Sequence, residues 1–596
     1  MDFQQFLGGS NEAQAWSADV ERTVNWYPEV SQSQNATRKV SLLPTPGVQL
    51  LGVQLTESLR PVYPGRAHAV AAGREFAVQG TLMWEYNRLG WLASRLSVAA
   101  SSYPATISSN GDGGGQLFVC SGGSCYYFTM ATNVGALLSA PASTTGYLMG
   151  DYLEGYFLCL RSDNSTLYLS ALFNGASWTT GADFAQRTFR PDQWVSLKVL
   201  GRYAWLLGTE SSEAWYNTGG TFPLAPHPGS VIDYGCAAAW SPKVVGNSLC
   251  WLAQTAGGRR CVVRMAGFEP QIISTYALET KFQGYKHLED AVGDVYSDES
   301  GHTFYILHFD RDGISWAWDM ETGLWSERGT WISEEHRWEA WRPRFLVDAF
   351  GERRLLDPKD ASVYRAGPKY TRDVDNRPIR RLRRAPAINN ENDRLFYKSF
   401  EVELDRGKGD INAHENLISF TWSQAAGNIH DITVDASATT VDYGPITSYV
   451  WTWQTPPQPA VGHTAVETFT VPSHVHVTTA LAEASFGVTL TVVTPRGSFS
   501  AFAKINTSTK GASGGVSEYR ATPDDQKTTP QVMLRLSNDG GKTWPVETWS
   551  SAGEVGEYNK RVKWHRLGAA RRRVFEVSVT DDIPWRLTGA YADVSK

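Results

Sequence analysis

Asp539 sits in Ser537-Asn538-Asp539-Gly540-Gly541-Lys542-Thr543-Trp544, the stretch whose residue types and spacing come closest to a chemical signature. An Asp set among hydroxyls and glycines accepts backbone N–H groups, and glycine takes the positive φ that closes a tight turn. Trp544 is then placed to pack under the hairpin. That chemistry folds a turn; it does not catalyse. The other candidates have equally plain readings. Asp310-Arg311-Asp312-Gly313 and Asn110-Gly111-Asp112 begin like calcium loops but lack the later oxygen ligands and closing Glu, so both read as hairpin turns. His474 and His476 share one strand face without a third metal ligand in reach. Gly511-Ala512-Ser513-Gly514-Gly515 matches Gly-x-Ser-x-Gly by letter only, in a Ser/Thr/Gly loop without a strand–helix elbow. Gly111–Gly115 reads as loop, with no helix after it to receive a phosphate.

The spacing around Asp539 is also the Asp-box pattern of sialidases and related propellers. Such an enzyme needs arginines for the substrate carboxylate, a Tyr nucleophile and an acid–base carboxylate. These do not assemble at recognisable spacing, and the clear Asp box stands alone. P-loop, HExxH and GxGxxG patterns are absent. No catalytic, cofactor-binding or metal-binding residue is assigned, and the chain is read as a non-enzyme.

Lys and Arg number 55 against 61 Asp and Glu, a net charge of −6. Domains that grip phosphates are usually basic. A neutral or acidic wall instead lets a polyanion slide past without sticking. Arg372, Arg377, Arg380, Arg381, Arg383 and Arg384 form a run whose last members alternate as a strand would. It reads as a solvated strand or an inter-subunit ion-pair strip rather than a nucleic-acid patch, and Arg571-Arg572-Arg573 reads the same way. The six cysteines form no CxxC pair. Cys120 and Cys125 flank a Gly-Gly turn and could face each other across a hairpin; all six read as reduced, buried thiols. No apolar run reaches the length of a membrane span, and the start lacks a secretory signal.

The elements that hold these residues are strands. Aromatic content of 12% and glycine and proline spread as punctuation give an all-β profile. An apolar run, a short Gly- or Asp-rich turn and a returning run recur from Glu75, Gln116, Tyr156, Tyr203, Ser248, Thr303 and Arg344. Hairpins repeating at this interval predict a β-propeller of six or seven irregular blades; a β-sandwich with long meanders is the alternative. Residues 1–48 are expected to be an extended lead-in, with at most a short helix after Ser10, packing on the C-terminal domain. Residues 49–370 are the propeller. Residues 371–406 with 530–596 form an antiparallel sheet or sandwich assembly domain, strand 395–404 continuing in the run from Val532. Residues 407–529 are an inserted β subdomain with strands near 432–442, 465–478 and 485–505. Segment 331–343, with Trp331, Trp338 and Trp341, is expected to be a linker or interface loop.

Several ordered stretches resemble one family. Arg22-Thr23-Val24-Asn25-Trp26-Tyr27-Pro28, then Leu43-Pro44-Thr45-Pro46-Gly47, look like its opening. Arg66–Leu82 is similar to its first propeller hairpin. Trp240–Leu252 and Trp316–Trp325 resemble later blades, and Asn390–Arg394 and the tail Pro530–Val594 complete the series. The family is the tail hub or nozzle proteins of short-tailed bacteriophages, also called packaged-DNA stabilisation proteins. The resemblance implies a structural virion-tail protein, assembled in the host cytoplasm as a homohexameric ring. The ring would extend the DNA exit channel below portal and adaptor, help retain packaged DNA and carry needle, fibre or spike proteins. Double-stranded DNA would pass its lumen without sequence-specific binding. The rival reading is a propeller glycosidase or depolymerase, or a carbohydrate-binding protein, acting on host surface sugars.

Overall fold

The structure is a computed structural model. It describes residues 2–595 apart from 16–17, 34, 37, 52–63, 89, 91, 140–145, 162–165, 179–183, 187–191, 221, 361, 392, 406–414, 425–430, 441–445, 454–464, 471–482, 495–496, 509–512, 522–529 and 554–560. The chain divides into two compact units, residues 1–406 with 531–551 and 561–596, and residues 407–530 with 552–560.

In the larger unit, seven antiparallel blades follow one another. Their first strands are Gly65–Ala71, Thr106–Ser109, Tyr147–Leu153, Trp194–Leu200, Lys243–Val245, Val292–Ser297 and Arg344–Ala349. Each touches the next, and the seventh touches the first, so the blades close into a ring. Six of the predicted hairpins are the second and third strands of their blades, and the one from Arg344 is the first and second strands of blade seven. Blade two shows why they are legible. Gln116–Ser121 and Ser124–Thr129 meet at Gly122 and Gly123, with φ of 57° and 83°. Positive φ at both central residues is what a two-residue hairpin matching the strand twist requires. Alternation makes both blade faces apolar, and a dry core lies between every neighbouring pair of blades.

Blade seven is completed from elsewhere in the chain. Its strands Arg344–Ala349, Glu352–Leu356 and Val363–Gly367 are followed by Gly47–Leu50, which pairs Val48 with Ala366 and Leu50 with Tyr364. The closing strand thus straddles the expected boundary at 48/49. A propeller holds its ring shut when its last blade takes a strand from the other end of the domain, because opening then breaks a ladder.

The C-terminal region contributes two sheets. One contains Trp26–Val30, Val40–Pro44, Arg586–Ser595, Leu395–Asp405 and Val562–Ala570 in spatial order. The other contains Val20–Val24, Arg381–Arg384, Val574–Val579, Gln531–Ser537 and Thr548–Ser551, and continues through Trp325–Ile332 into blade six. Phe400 of the first sheet stacks on Phe575 of the second at 4.2 Å, with Phe6 5.5 Å from Phe400. Strand 395–405 and the run from Val532 therefore lie in different sheets. Periodicity shows which face is apolar, not which strand it pairs with.

Other expectations need correction. Segment 331–343 is not a loop: Trp325–Ile332 and Arg337–Ala340 form a hairpin with Trp331 and Trp338 edge to face at 5.0 Å. A helix, Tyr276–Gly284, lies between blades five and six, capped by Thr275 and burying Leu278 and Phe282. Its apolar residues are too few to show helical periodicity. Gly111–Gly114 is one helical turn rather than plain loop.

The smaller unit packs two sheets around Phe420, Trp451, Ile432 and Leu490. One is Val466–Thr470, Asp431–Asp435, Glu415–Gln424 and Ser513–Ala521; the other is Ser448–Trp453, Glu483–Thr494 and Gly497–Ser508. The stretch 485–505 is thus two paired strands, and Ser513–Gly515 lies on a strand rather than in a loop. Gly514 passes over the Trp422 indole, where a Cβ would stand 2.8 Å from the ring. His474, His476, Gly511 and Ala512 lie outside the described residues.

Candidate functional site

The first strands of the blades bring side chains from all round the propeller to its axis. They enclose a cavity of about 230 Å³, lined among others by Thr106, Ser196, Lys198, Trp240, Lys243 and Phe345. A water occupies ~30 Å³ of liquid, so the space holds roughly eight of them. The charges around it are mostly paired. Lys198 Nζ meets Asp151 at 2.6 Å. Glu75 is shared by His68 at 2.8 Å and Arg354 at 2.5 Å, all three side chains fully buried. Lys243 rests over the Phe345 ring at 5.7 Å. Burial lowers the Lys243 ammonium and raises the Asp294 carboxyl, the expected opposite signs. His308 Nδ1 lies 3.0 Å from Ser315 Oγ, the spacing of a base and a nucleophile. Both are buried, and Ser315 Oγ also accepts the Trp341 N–H. Desolvation, with Arg344 and Arg328 nearby, holds His308 well below its ordinary range, so it is a neutral core imidazole. The axis is narrow, with this small cavity at its centre.

The second site is a clasp built by the first 25 residues. Val20–Val24 lies between Trp325–Ile332 of blade six and Arg381–Arg384, parallel to the first and antiparallel to the second. Asn25 holds the junction. It is buried, takes φ 56°, donates Nδ2 to the carbonyls of Gly329 and Arg380 at 2.8 Å, and accepts the Gly329 N–H at 3.0 Å. Asparagine tolerates this left-handed geometry, and its amide serves both strands at once. Arg22 forks onto Glu327 at 3.0 and 2.8 Å.

The end of the arginine run, Arg381 to Arg384, is largely buried here, which overturns its reading as a solvated or inter-subunit strip, while Arg372, Arg377 and Arg380 are half-buried and pair with Asp582, Glu334 and Glu547. Arg381 and Arg383 are 2% and 0% exposed. Arg383 donates to the carbonyls of Phe6 and Gly9 and to Thr23 Oγ1, and pairs with Glu21. Arg384 bridges Glu12 and Glu576, each at 2.8 Å. Arg381 donates to the Thr45 carbonyl, and burial pushes its guanidinium down to about 10. Arg573 is likewise buried, on Asn538 Oδ1 and the Leu567 carbonyl, while Arg571 and Arg572 stay exposed. Alternation alone marked these as strand residues. Their acids lie about 360 positions away for Glu21 and Glu12, beyond any local pattern.

The Asp539 turn has the predicted geometry. Asp539 Oδ1 accepts from Ser537 Oγ at 2.6 Å and from the N–H groups of Lys542 and Thr543 at 3.0 Å, and Oδ2 accepts from Thr543 Oγ1 at 2.7 Å. The Ser537 and Thr543 hydroxyls, with these amides, hold its carboxyl far below the usual range. Trp544 is clamped by the guanidiniums of Arg384 and Arg535 at 4.7 and 5.5 Å. Asp310–Gly313 joins two strands of blade six. No sugar-cleaving trio assembles at either place among the described residues. Beyond the turn, the strand Thr548–Ser551 ends its sheet and carries Trp549, 60% exposed, with Val546 before it 89% exposed.

The sequence profile of the family described as "Bacteriophage P22 Gp10, beta-propeller" matches residues 14–364, more than half the chain. That of "Bacteriophage P22 Gp10, beta-sandwich" matches residues 512–595. The chain belongs to the Gp10 family. As a member of it, the chain is a structural protein of the phage tail, of the nozzle or stabilisation type, and its place is the virion tail. The Gp10 propeller match begins at 14 and so includes both the clasp strand and the closing strand of blade seven. None of the curated proteins matches the chain. Among solved structures, the N-terminal domain of Nup159 is similar at 10% identity, covering 58% of this chain and 98% of that one, with a TM-score of 0.35. Virginiamycin B lyase from Staphylococcus aureus aligns at 10% identity over 54% and 99%, TM-score 0.35. YCF48 from Cyanidioschyzon merolae aligns at 12% over 54% and 99%, TM-score 0.33. Likeness at this level brings no activity to the Gp10-family chain. No helix among its described residues is long and apolar enough to cross a membrane.

Proposed function

We propose that the chain assembles as a homohexameric ring that continues the DNA exit channel below the portal and adaptor of a short-tailed phage. The ring helps retain packaged DNA and carries the distal tail proteins. Its role is architectural, with no catalytic step. The observation that carries the reading is the narrow propeller axis: a space of about 230 Å³ admits no duplex. In a tail protein of this family, the DNA conduit is therefore formed between copies rather than through one. A net charge of −6 suits such a wall, because a basic lining would hold the phosphates. A closed ring needs two different complementary surfaces on each copy. The end strand with Trp549 and Val546 supplies one exposed apolar edge.

Native mass spectrometry of the purified chain and electron microscopy of virions test this. Sixfold rings surrounding a DNA-wide lumen are expected. A chain that stays monomeric and never enters virions overturns the reading. Within it, Trp549→Asp is expected to leave the monomer folded and reduce ring yield at least tenfold.

A further inference from the structure

Three of the six cysteines converge between blades two and three. Cys120 and Cys125 are register partners one pair below the Gly122-Gly123 turn, and Cys159 enters from the second strand of blade three. Their Sγ atoms lie 2.9 Å (120 to 125), 3.2 Å (125 to 159) and 3.8 Å (120 to 159) apart. All three residues are at most 1% exposed. Three isolated thiols used as apolar filler would pack against carbon and would not seek each other across two blades. Here each sulfur faces the other two, inside a shell of Phe118, Tyr147, Phe157, Tyr168 and Trp178. The three sulfurs can reach one common ion, spreading on binding toward the ~3.7 Å that separates tetrahedral thiolates. A point about 1 Å above the sulfur plane lies ~2.3 Å from all three, the length of a metal–thiolate bond.

We propose that Cys120, Cys125 and Cys159 form a binding site for one thiophilic d10 metal ion, Zn(II) or Cu(I), that pins blade two to blade three. Sulfur-only ligation in an apolar shell selects soft ions over calcium or magnesium. Binding forms three metal–sulfur bonds and releases the three thiol protons to solvent, with no change of oxidation state. Gly122 is exposed, so the route in is one residue pair deep. The remaining cysteines, Cys236, Cys250 and Cys261, belong to no such group among the described residues.

The full chain is produced in medium supplemented with zinc, copper or cadmium and purified without chelator. Elemental analysis and the ultraviolet thiolate–cadmium charge-transfer band are then read. One ion per chain is expected, with zinc against copper content naming the native ion, and X-ray absorption is expected to show three sulfur neighbours. Cys159→Ala should lower bound metal at least tenfold, and Cys250→Ala should leave it unchanged. Metal at background in the unmodified chain overturns the proposal. So does equal loading of Cys159→Ala, or an intact mass short of two hydrogens that marks a Cys120–Cys125 disulfide. The absorption readouts on the unmodified chain decide the matter if a variant fails to fold.

Discussion

Two short strands from the first fifty residues each complete a sheet, and they do so by different physics. Gly47–Leu50 closes blade seven, where Val48 is buried against an apolar core with Leu355, Tyr364 and Ala366. Val20–Val24 fastens blade six to the C-terminal sheet, and there the contacts are Arg22 to Glu327, Arg383 to Glu21 and Arg384 to Glu12. Beyond its strand ladder, the closure of the ring depends on excluded water, which has no direction. The clasp is directional, each guanidinium fixing a carboxylate or carbonyl in place. A propeller that must only stay shut is served by the first. A joint that must hold one sheet in a set register across two domains is served by the second.

The comparison predicts how each closure fails. Val48→Asp puts an unpaired charge into the blade-seven core and should cost the most, about 4 kcal/mol; urea unfolding should show the propeller transition moving to lower denaturant. Arg383→Ala leaves the carbonyls of Phe6 and Gly9 and the Glu21 carboxylate without their donor. It should cost about 3 kcal/mol. Arg383→Lys should recover less than half, because an ammonium cannot span the same fork. Recovery of the whole loss by lysine would show that charge alone, not geometry, holds the clasp.

A third expectation concerns pH. His302 Nδ1 lies 2.8 Å from Asp319, and that hydrogen bond raises the imidazole above its ordinary value. A raised basic group stabilises the fold fully below its unfolded pKa of ~6.5 and loses that contribution as pH rises through the folded value. His302→Gln should therefore cost about 1.5 kcal/mol below that point and much less well above it, read as denaturation midpoints at two pH values. The smallest effect belongs to Asp539→Ala, about 1 kcal/mol, since its turn is exposed. Its carboxyl is depressed, so its contribution persists at neutral pH and is lost only as pH falls through its lowered value. A large effect there at neutral pH would mean that the turn bears on more than its own hairpin.

The blade hairpins were visible in the chain because most of their strands are apolar on both faces and their turns carry glycine or aspartate. Most of the axis-lining first strands were not, since a strand such as Thr106–Ser109 carries small and polar residues toward the axis. The bonds of the Asp539 carboxylate were legible, each being made within four residues, whereas the Arg573 fork on Asn538 and the Arg384 clamp on Trp544 were not. The arginine run was legible as a strand but not as a buried one, because the acids that make its burial tolerable come from the other end of the chain. Asn25 stood out only through the ordered resemblance of its segment, and the local sequence does not say that its amide ties two strands.

Residue types alone thus determined the class of fold, the repeat and the turns. Those follow from local alternation and from backbone conformations that few residues accept. Tertiary structure decided which strand closes the ring, which sheet each C-terminal strand enters, where the arginines find their carboxylates and which three thiols meet. The reason is common to all four. Partners distant in sequence, by hundreds of residues in the ring closure and the clasp and by 34 and 39 for Cys159, are chosen by the burial they complete together.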